Sequence, residues 1–362
     1  MSTTTKRIGV LTSGGDCAGL NAAIRAVIYR AIDHYSMQVI GIHEGTAGLL
    51  ERPMKYQELD LGLATGNLLR QGGTILGTVN KGNPFAYPMP DGSTRDRSDE
   101  VIAGVVSLGL EALIGIGGDG SMRILSRLAR QGNIPFVGIP KTIDNDVACT
   151  DFAIGYMSAV DVAVEALDRL QPTAASHRRV MLLEVMGRNV GWIAIHAGIA
   201  GGADVVLIPE IPFTIDKVTQ KLRSLAHAGH NHALMVVAEG IRLPSDEGVT
   251  TSYADGEVRY RGVSHHIADL ISEQLGAETR VTELGYVQRG GSPNSFDRTL
   301  ASAFGVRAVD LVAAGKTDRV VVWQSGVVTD VPLDDVAGKT RGLTPDHSLI
   351  QTAREMGICL GD

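Results

Sequence analysis

The stretch RIGVLTSGGDCAGLNAAIR, residues 7–25, decides how the chain is read. Residues 7–11 are a short apolar run of the kind found in strands buried on both faces, residues 12–19 hold three glycines, and residues 20–34 take up a helical period. Strand, glycine loop and helix make the first half of a βα unit, and the alternation returns about a dozen times along the chain. Further apolar strands read at 38–42, 112–116 and 135–139. A second set reads at 179–185, 204–208 and 233–238, interleaved with helices near 192–199, 214–228 and 264–275. The pattern predicts an α/β protein of two lobes with mainly parallel sheets. No linker rich in Pro or Ser divides them, so the chain is expected to pass between the lobes more than once and to hold its ligand in the cleft between them. In such sheets ligands sit at the carboxyl ends of strands, where the glycine-rich and polar motifs of this chain fall.

Composition narrows the ligand. The 362 residues are 44% hydrophobic, enough for two core-bearing domains, and the 44 glycines are spread along the chain without a repeat. A formal charge of −7 leaves no basic footprint for nucleic acid, and no apolar run approaches the roughly 18 residues of a membrane span. An anionic substrate would therefore be met by a local cluster of Arg and Lys. The start MSTTTKRIGV lacks the order of a signal peptide, and Cys17, Cys149 and Cys359 are too scattered for a disulfide framework, so a cytoplasmic protein is expected.

Three motifs carry the chemistry. In Ser13-Gly14-Gly15-Asp16 glycine lets a phosphate approach the main chain over a helix start, although a plain tight βα turn fits the same letters. The loop matches neither the dinucleotide fingerprint nor the G-x-x-x-x-G-K-[ST] loop, which counts against a nicotinamide dehydrogenase. Gly117-Gly118-Asp119-Gly120-Ser121 follows a buried strand and suits phosphates running over backbone while Asp119 holds a hydrated Mg²⁺; helix capping by Asp119 is the bland alternative. In PKTIDND, residues 140–146, Thr142, Asp144 and Asp146 stand at alternate positions, so an extended backbone would turn all three to one side, with Asp144 as a base for a hydroxyl proton. A polar turn in which Asp and Asn bond their own backbone is the other reading. The second lobe supplies cations at strand ends: Arg178 and Arg179, Arg188 after Met186-Gly187, and Arg280 and Arg289 around VTELGYVQRGG, with Glu239 closing another strand. Guanidinium groups so placed suit a phosphorylated substrate, which they grip bidentately.

Taken in order, LTSGGD, GGDGS, PKTIDND, EVMGR and VQRGGSP resemble the 6-phosphofructokinase family over residues 8 to about 334. The resemblance implies two Rossmann-like three-layer α/β/α lobes. Residues 1–155 with about 288–338 would bind the donor, and about 156–287 with 339–362 would bind fructose 6-phosphate. It also implies phosphoryl transfer from ATP to the 1-hydroxyl of fructose 6-phosphate with Mg²⁺, in a homo-oligomer, tetramer or dimer, with no nucleic-acid or membrane partner. Carried onto this chain, Gly15 and Gly118, Asp119, Gly120 and Ser121 would line the donor phosphates, with Asp119 on the metal. Asp144 would be the base with Thr142 beside it, and Arg188 would face the transferred group. Met186, Gly187, Arg188, Glu239, Arg280, Tyr286 and Arg289 would bind the sugar phosphate, and Arg179 would reach in from a neighbouring subunit.

Some positions depart from the best-known bacterial pattern. Asn80 and Lys81 stand where an arginine is usual on the donor side, and Tyr286 replaces a histidine but keeps a hydroxyl. Arg25 matches the first arginine of the family's effector helix, yet Tyr29 and Gln171 fall where others are expected, which argues against the usual effector control. MGRNVGWIA and Lys141 resemble the branch that mixes ATP- and pyrophosphate-using enzymes. Gly120 and Lys141 bear on the donor in opposite senses: the pyrophosphate-using relatives carry Asp at the first position and Lys at the second. Gly120 weighs more, because added bulk and charge exclude a ligand whereas a flexible lysine lies beside either donor. ATP is the expected donor, a pyrophosphate-dependent enzyme the alternative, and a non-catalytic sugar-phosphate-binding subunit a remote third. His227, His230 and His232 read as a polar loop, Cys17 as a packing residue, and Trp192 and Trp323 as core.

Overall fold

The computed structural model describes residues 6–80, 82–243, 250–252, 258–260 and 262–362. Along the chain run the strands β1 (Arg7–Thr12), β2 (Gln38–Ile42), β3 (Tyr56–Leu59), β4 (Ala112–Gly117), β5 (Phe136–Pro140), β6 (Val180–Val185), β7 (Val205–Leu207), β8 (Ala233–Ala238), β9 (Thr279–Glu283), β10 (Arg319–Gln324) and β11 (Val327–Pro332). Helices α1 (Leu20–Tyr29), α2 (Asp119–Gly132), α3 (Tyr156–His177), α4 (Trp192–Ala200), α5 (Ile215–His227), α6 (Val263–Leu275) and α7 (Ser295–Ala313) lie between them. The chain divides into one unit of Met1–Ser158 with Arg289–Arg341 and another of Ala159–Gln288 with Gly342–Asp362.

The first unit holds a seven-stranded sheet in the order β11-β10-β5-β4-β1-β2-β3. Its central strands are parallel, and β3 and β11 are antiparallel at the edges. All six residues of β4 are buried, as an apolar strand covered on both faces requires. From β1 the chain builds outward to β2 and β3, then returns to lay β4 on the opposite side of β1. That reversal brings the carboxyl ends of β1 and β4 together as a topological switch point, with Thr12 opposite Ile116 and Ser13 N donating to Ile116 O at 2.9 Å. Leu11, Ile40, Leu113, Phe136 and Val320 form the middle of the core. Helices α1 and α7 meet at Gly305, where a Cβ would stand 2.7 Å from Ala23 O.

The second unit holds a parallel sheet in the order β9-β6-β8-β7. The chain builds from β6 toward β7 and β8, then returns to add β9 on the other flank of β6, so a second switch point lies at the carboxyl end of β6. Every residue of β8 is buried.

Two sequence expectations change in detail. The helix expected over 20–34 is α-helical only to Tyr29 and continues as a π-helix over Arg30–His34. Arg30 and, just beyond it, Tyr35 both bond Asp310 Oδ1, at 2.7 and 3.0 Å. Trp192 is buried in α4, whereas Trp323 on β10, the last strand before the antiparallel edge, is only half-buried. Among the described residues no helix is long and apolar enough to cross a membrane.

Candidate active site

At the first switch point the loop after β1 is held by its carbonyls. Thr78 Oγ1 donates to Gly14 O at 2.6 Å, Lys141 Nζ donates to Gly15 O, and Arg289 Nη1 donates to Asp16 O at 3.1 Å. Gly14 takes φ 81°, a conformation open to glycine, and a Cβ on Gly15 would stand 2.6 Å from the Arg289 guanidinium. With the carbonyls so engaged, the N–H groups of Gly14, Gly15 and Asp16 have no acceptor among the described residues and remain for an anion. The start of α2 repeats the arrangement. Gly118 is its N-cap with no side-chain cap, so the first-turn N–H groups are unsatisfied, and Asp119, half-buried there, has no hydrogen-bond or ion-pair partner among the described residues. Asp119 therefore does not cap the helix. A Cβ on Gly120 would meet nothing within 4 Å, and Ser121 Oγ lies 3.1 Å from where a Gly14 Cβ would stand.

Lys141 is 3% exposed, and burial pulls its ammonium below the ordinary lysine range while Asp16 and Asp144 favour its charge and Arg289 opposes it. Cys17, fully buried, has its thiol pushed up to about 12 by the same desolvation, which fits a packing residue and not a nucleophile. Asn80 is exposed on the connection after Thr78, and Lys81 lies outside the described residues.

The expectation of an extended PKTIDND is corrected. The chain turns after Thr142: Asp144 N donates to Thr142 Oγ1 at 3.1 Å, and Asn145 takes the left-handed conformation at φ 55°. Asn145 Nδ2 donates to Asp151 O at 3.0 Å and its Oδ1 accepts from Ala153 N at 2.9 Å, so the side chain replaces the strand ladder and ends the alternation. Thr142 and Asp144 meet through that turn. Asp144 and Asp146 are both buried, at 4% and 6% exposure.

In the second unit the loop after β6 is wrapped onto the end of β8. Glu239 Oε1 accepts from Gly187 N at 3.2 Å and from Arg188 N at 2.9 Å, and Met186 N donates to Gln288 Oε1 at 2.6 Å. Gly187 at φ 152° and Arg188 at φ 51° are both unusual backbone states held by these bonds. Tyr286, 73% exposed, lies on the 3-10 turn after β9. Arg179 and Arg280 are elsewhere. Arg179 precedes β6 and Arg280 opens β9, so they occupy the amino end of the sheet, a strand length of about 17–20 Å from Met186–Arg188. Both pair with Glu278, at 2.8 and 2.5 Å, and the Arg179 hydrogen bond holds that carboxyl below its usual range. Within one chain the expected sugar-phosphate set is thus divided, and Arg289 belongs to the first unit, against Gly15.

The phosphofructokinase family model matches residues 7–312. The chain belongs to the phosphofructokinase family. The "ATP-dependent 6-phosphofructokinase 1" of Synechocystis sp. is 54% identical over 357 residues, 99% of each chain. "ATP-dependent 6-phosphofructokinase 3" of Bacteroides thetaiotaomicron is 43% identical, covering 98% of this chain and 100% of that one. Among solved structures, Pichia pastoris phosphofructokinase in the T-state superposes with TM-score 0.80 at 32% identity; 92% of this chain is covered, and it spans 35% of that longer chain. The pyrophosphate-dependent phosphofructokinase of Marinobacter aquaeolei gives TM-score 0.79 at 22% identity, covering 99% of this chain and 92% of that one, and shows the shared fold.

No group of three or more His, Cys, Asp or Glu among the described residues could cage a metal ion. A carboxylate with no partner among the described residues, beside unsatisfied helix-start N–H groups, does fit Mg²⁺, which keeps several waters and takes phosphate oxygens. Reading the motifs missed Thr78, Arg341 and Gly240. The first two act from remote segments that no local pattern marks. Gly240, directly after Glu239, was legible only as a glycine. A Cβ there would overlap Arg188 O, which is backbone and cannot yield by rotamer change. Gly240→Ala is therefore expected to destabilise by about 1–3 kcal/mol, to lower the melting temperature by several degrees and to raise KM for fructose 6-phosphate. Calorimetry and steady-state kinetics check it, and an unchanged KM would show that the loop does not serve the sugar phosphate.

Proposed function

We propose that the chain is an ATP-dependent 6-phosphofructokinase, transferring the γ-phosphoryl group of ATP to the 1-hydroxyl of fructose 6-phosphate to give fructose 1,6-bisphosphate and ADP in glycolysis. The observation that carries this is the pair of unsatisfied N–H arrays at the switch point, over Gly14–Asp16 and at the start of α2, beside the buried Asp144. Gly15, Gly118, Gly120 and Ser121 hold the donor phosphates, with Asn80 and Lys81 following in sequence after Thr78, which bonds Gly14 O. Asp119 holds Mg²⁺, which when bound neutralises charge on the phosphates. Asp144, oriented by Thr142, takes the hydroxyl proton as that oxygen bonds to phosphorus and the bond to ADP breaks. Arg188 offsets charge on the transferred group. Met186, Gly187, Glu239, Tyr286 and Arg289 take the sugar phosphate. Arg179, and Arg280 beside it on the same glutamate, serve the site of a neighbouring copy in a homo-oligomer, because both stand at the far end of the sheet from the Met186 loop.

ATP is favoured over pyrophosphate on two grounds. Gly120 leaves open space at the start of α2, and further along the same helix a cavity of about 550 Å³ is lined by Phe85, Arg123, Ile124 and Arg127. That volume lies in the range of small-molecule sites, and the Arg127 guanidinium, which lies over the Phe85 ring at 3.8 Å, brings a cation to its lining. Lys141, the residue that spoke for pyrophosphate, has its ammonium committed to Gly15 O. A coupled assay with fructose 6-phosphate, Mg²⁺ and either donor tests the reading. Turnover with ATP is expected; turnover with pyrophosphate alone would overturn the donor, and turnover with neither would overturn the enzyme.

A further inference from the structure

The turn that carries Asp144 is closed by a segment 196 residues further along the chain. Arg341 Nη2 donates to Asp151 O at 2.9 Å and to Asn145 O at 3.3 Å, while Arg341 N donates to Asp146 O at 2.7 Å. Next to it Thr340 forms an antiparallel bridge with Val147. Asp151 O thus receives both the Arg341 guanidinium and Asn145 Nδ2. The left-handed Asn145, the residue immediately after the candidate base, is tied through its carbonyl to Arg341 and through its side chain to Asp151 and Ala153. Burial disfavours the guanidinium charge, and Asp151, Tyr156 and Asp146 act against that. Holding a half-buried cation against two backbone carbonyls is a costly means of closing a turn, and it is explained if the turn must be rigid.

We propose that Arg341 is a positioning residue for phosphoryl transfer: by fixing the backbone of Asn145, Asp146 and Asp151 it sets where the Asp144 carboxylate stands. The role rests on the reading of Asp144 as base. A displacement near 1 Å in a reacting group costs about 10²-fold in rate. Substrate binding depends on other residues, so the loss falls on kcat.

The test compares Arg341→Ala, Arg341→Lys and Asp144→Asn in the full-length protein, with kcat, KM for both substrates, calorimetric ATP binding and a thermal melt. For Arg341→Ala, kcat is expected to fall about 30- to 100-fold, with KM values and ATP affinity within about threefold. Added methylguanidinium restores part of the turnover, a response that a general loss of packing does not give. Arg341→Lys keeps the charge but not the fork that spans two carbonyls, and it is expected to stay folded with kcat at least about tenfold down. Wild-type kcat in Arg341→Lys, or a loss in Arg341→Ala that tracks lost ATP affinity and is not rescued, overturns the proposal. Asp144→Asn separates the two readings. Near-normal turnover there removes the base, whereas lost turnover there with wild-type kcat in both Arg341 variants removes only the positioning role.

Discussion

Asp144→Asn is expected to lower kcat by about 10²- to 10⁴-fold, the usual cost of removing a general base, while KM for ATP and fructose 6-phosphate moves little. The substitution is close to isosteric. The turn that presents residue 144 is built from its backbone N–H on Thr142 Oγ1, the Asn145 side chain and Arg341, none of which needs the Asp144 carboxylate. The melting temperature is therefore expected to stay near that of the wild type, and the lost proton acceptor accounts for the lost rate. Steady-state kinetics in the coupled assay reads it; a kcat within tenfold of wild type would remove Asp144 from the chemistry.

Gly120→Asp should cut kcat/KM for ATP by about 10²- to 10³-fold, since like charges in contact cost several kcal/mol. A clash within the protein is not the cause, because a Cβ at Gly120 meets no atom within 4 Å. Nor is the fold: an acidic side chain in the first turn of α2 complements the helix dipole and adds about 0.3–1 kcal/mol of stability. What remains is repulsion between the new carboxylate and the donor phosphates over the helix start. Gly120→Ala is the control, expected within about threefold of wild type because it adds bulk without charge. Equal losses in both variants would assign the effect to the backbone of the helix start and undo the electrostatic argument for donor choice.

The strands were legible because a strand buried on both faces has to be an unbroken apolar run. The stretches 38–42 and 233–238 match β2 and β8 residue for residue. The glycine loops were legible for a similar reason, since glycine at a strand end followed by a helical period leaves few local conformations. The acidic motif was misread at this same level. A two-residue period describes side chains only while the backbone is extended, and Asn145 leaves that state through bonds to Asp151 and Ala153. The sequence did hold one unused signal: Arg179 lies before its strand and Met186–Arg188 after theirs, which already places them at opposite ends of β6.

By itself, then, the sequence determined the two parallel-sheet units, the glycine loops at the carboxyl ends of β1 and β4, and Asp119, Gly120 and Asp144 as the residues to watch, because each follows from local periodicity or residue type. Only the tertiary structure decided that Lys141 clamps Gly15, that Arg289 lies on the first loop, that the Asp144 turn is closed by Arg341, and that Arg179 and Arg280 share a glutamate away from the Met186 loop. Those pairings join residues up to 273 positions apart, such as Arg289 with Asp16. Bonds of that span are set by how strands are ordered in a sheet, and strand order leaves no periodic trace in the chain.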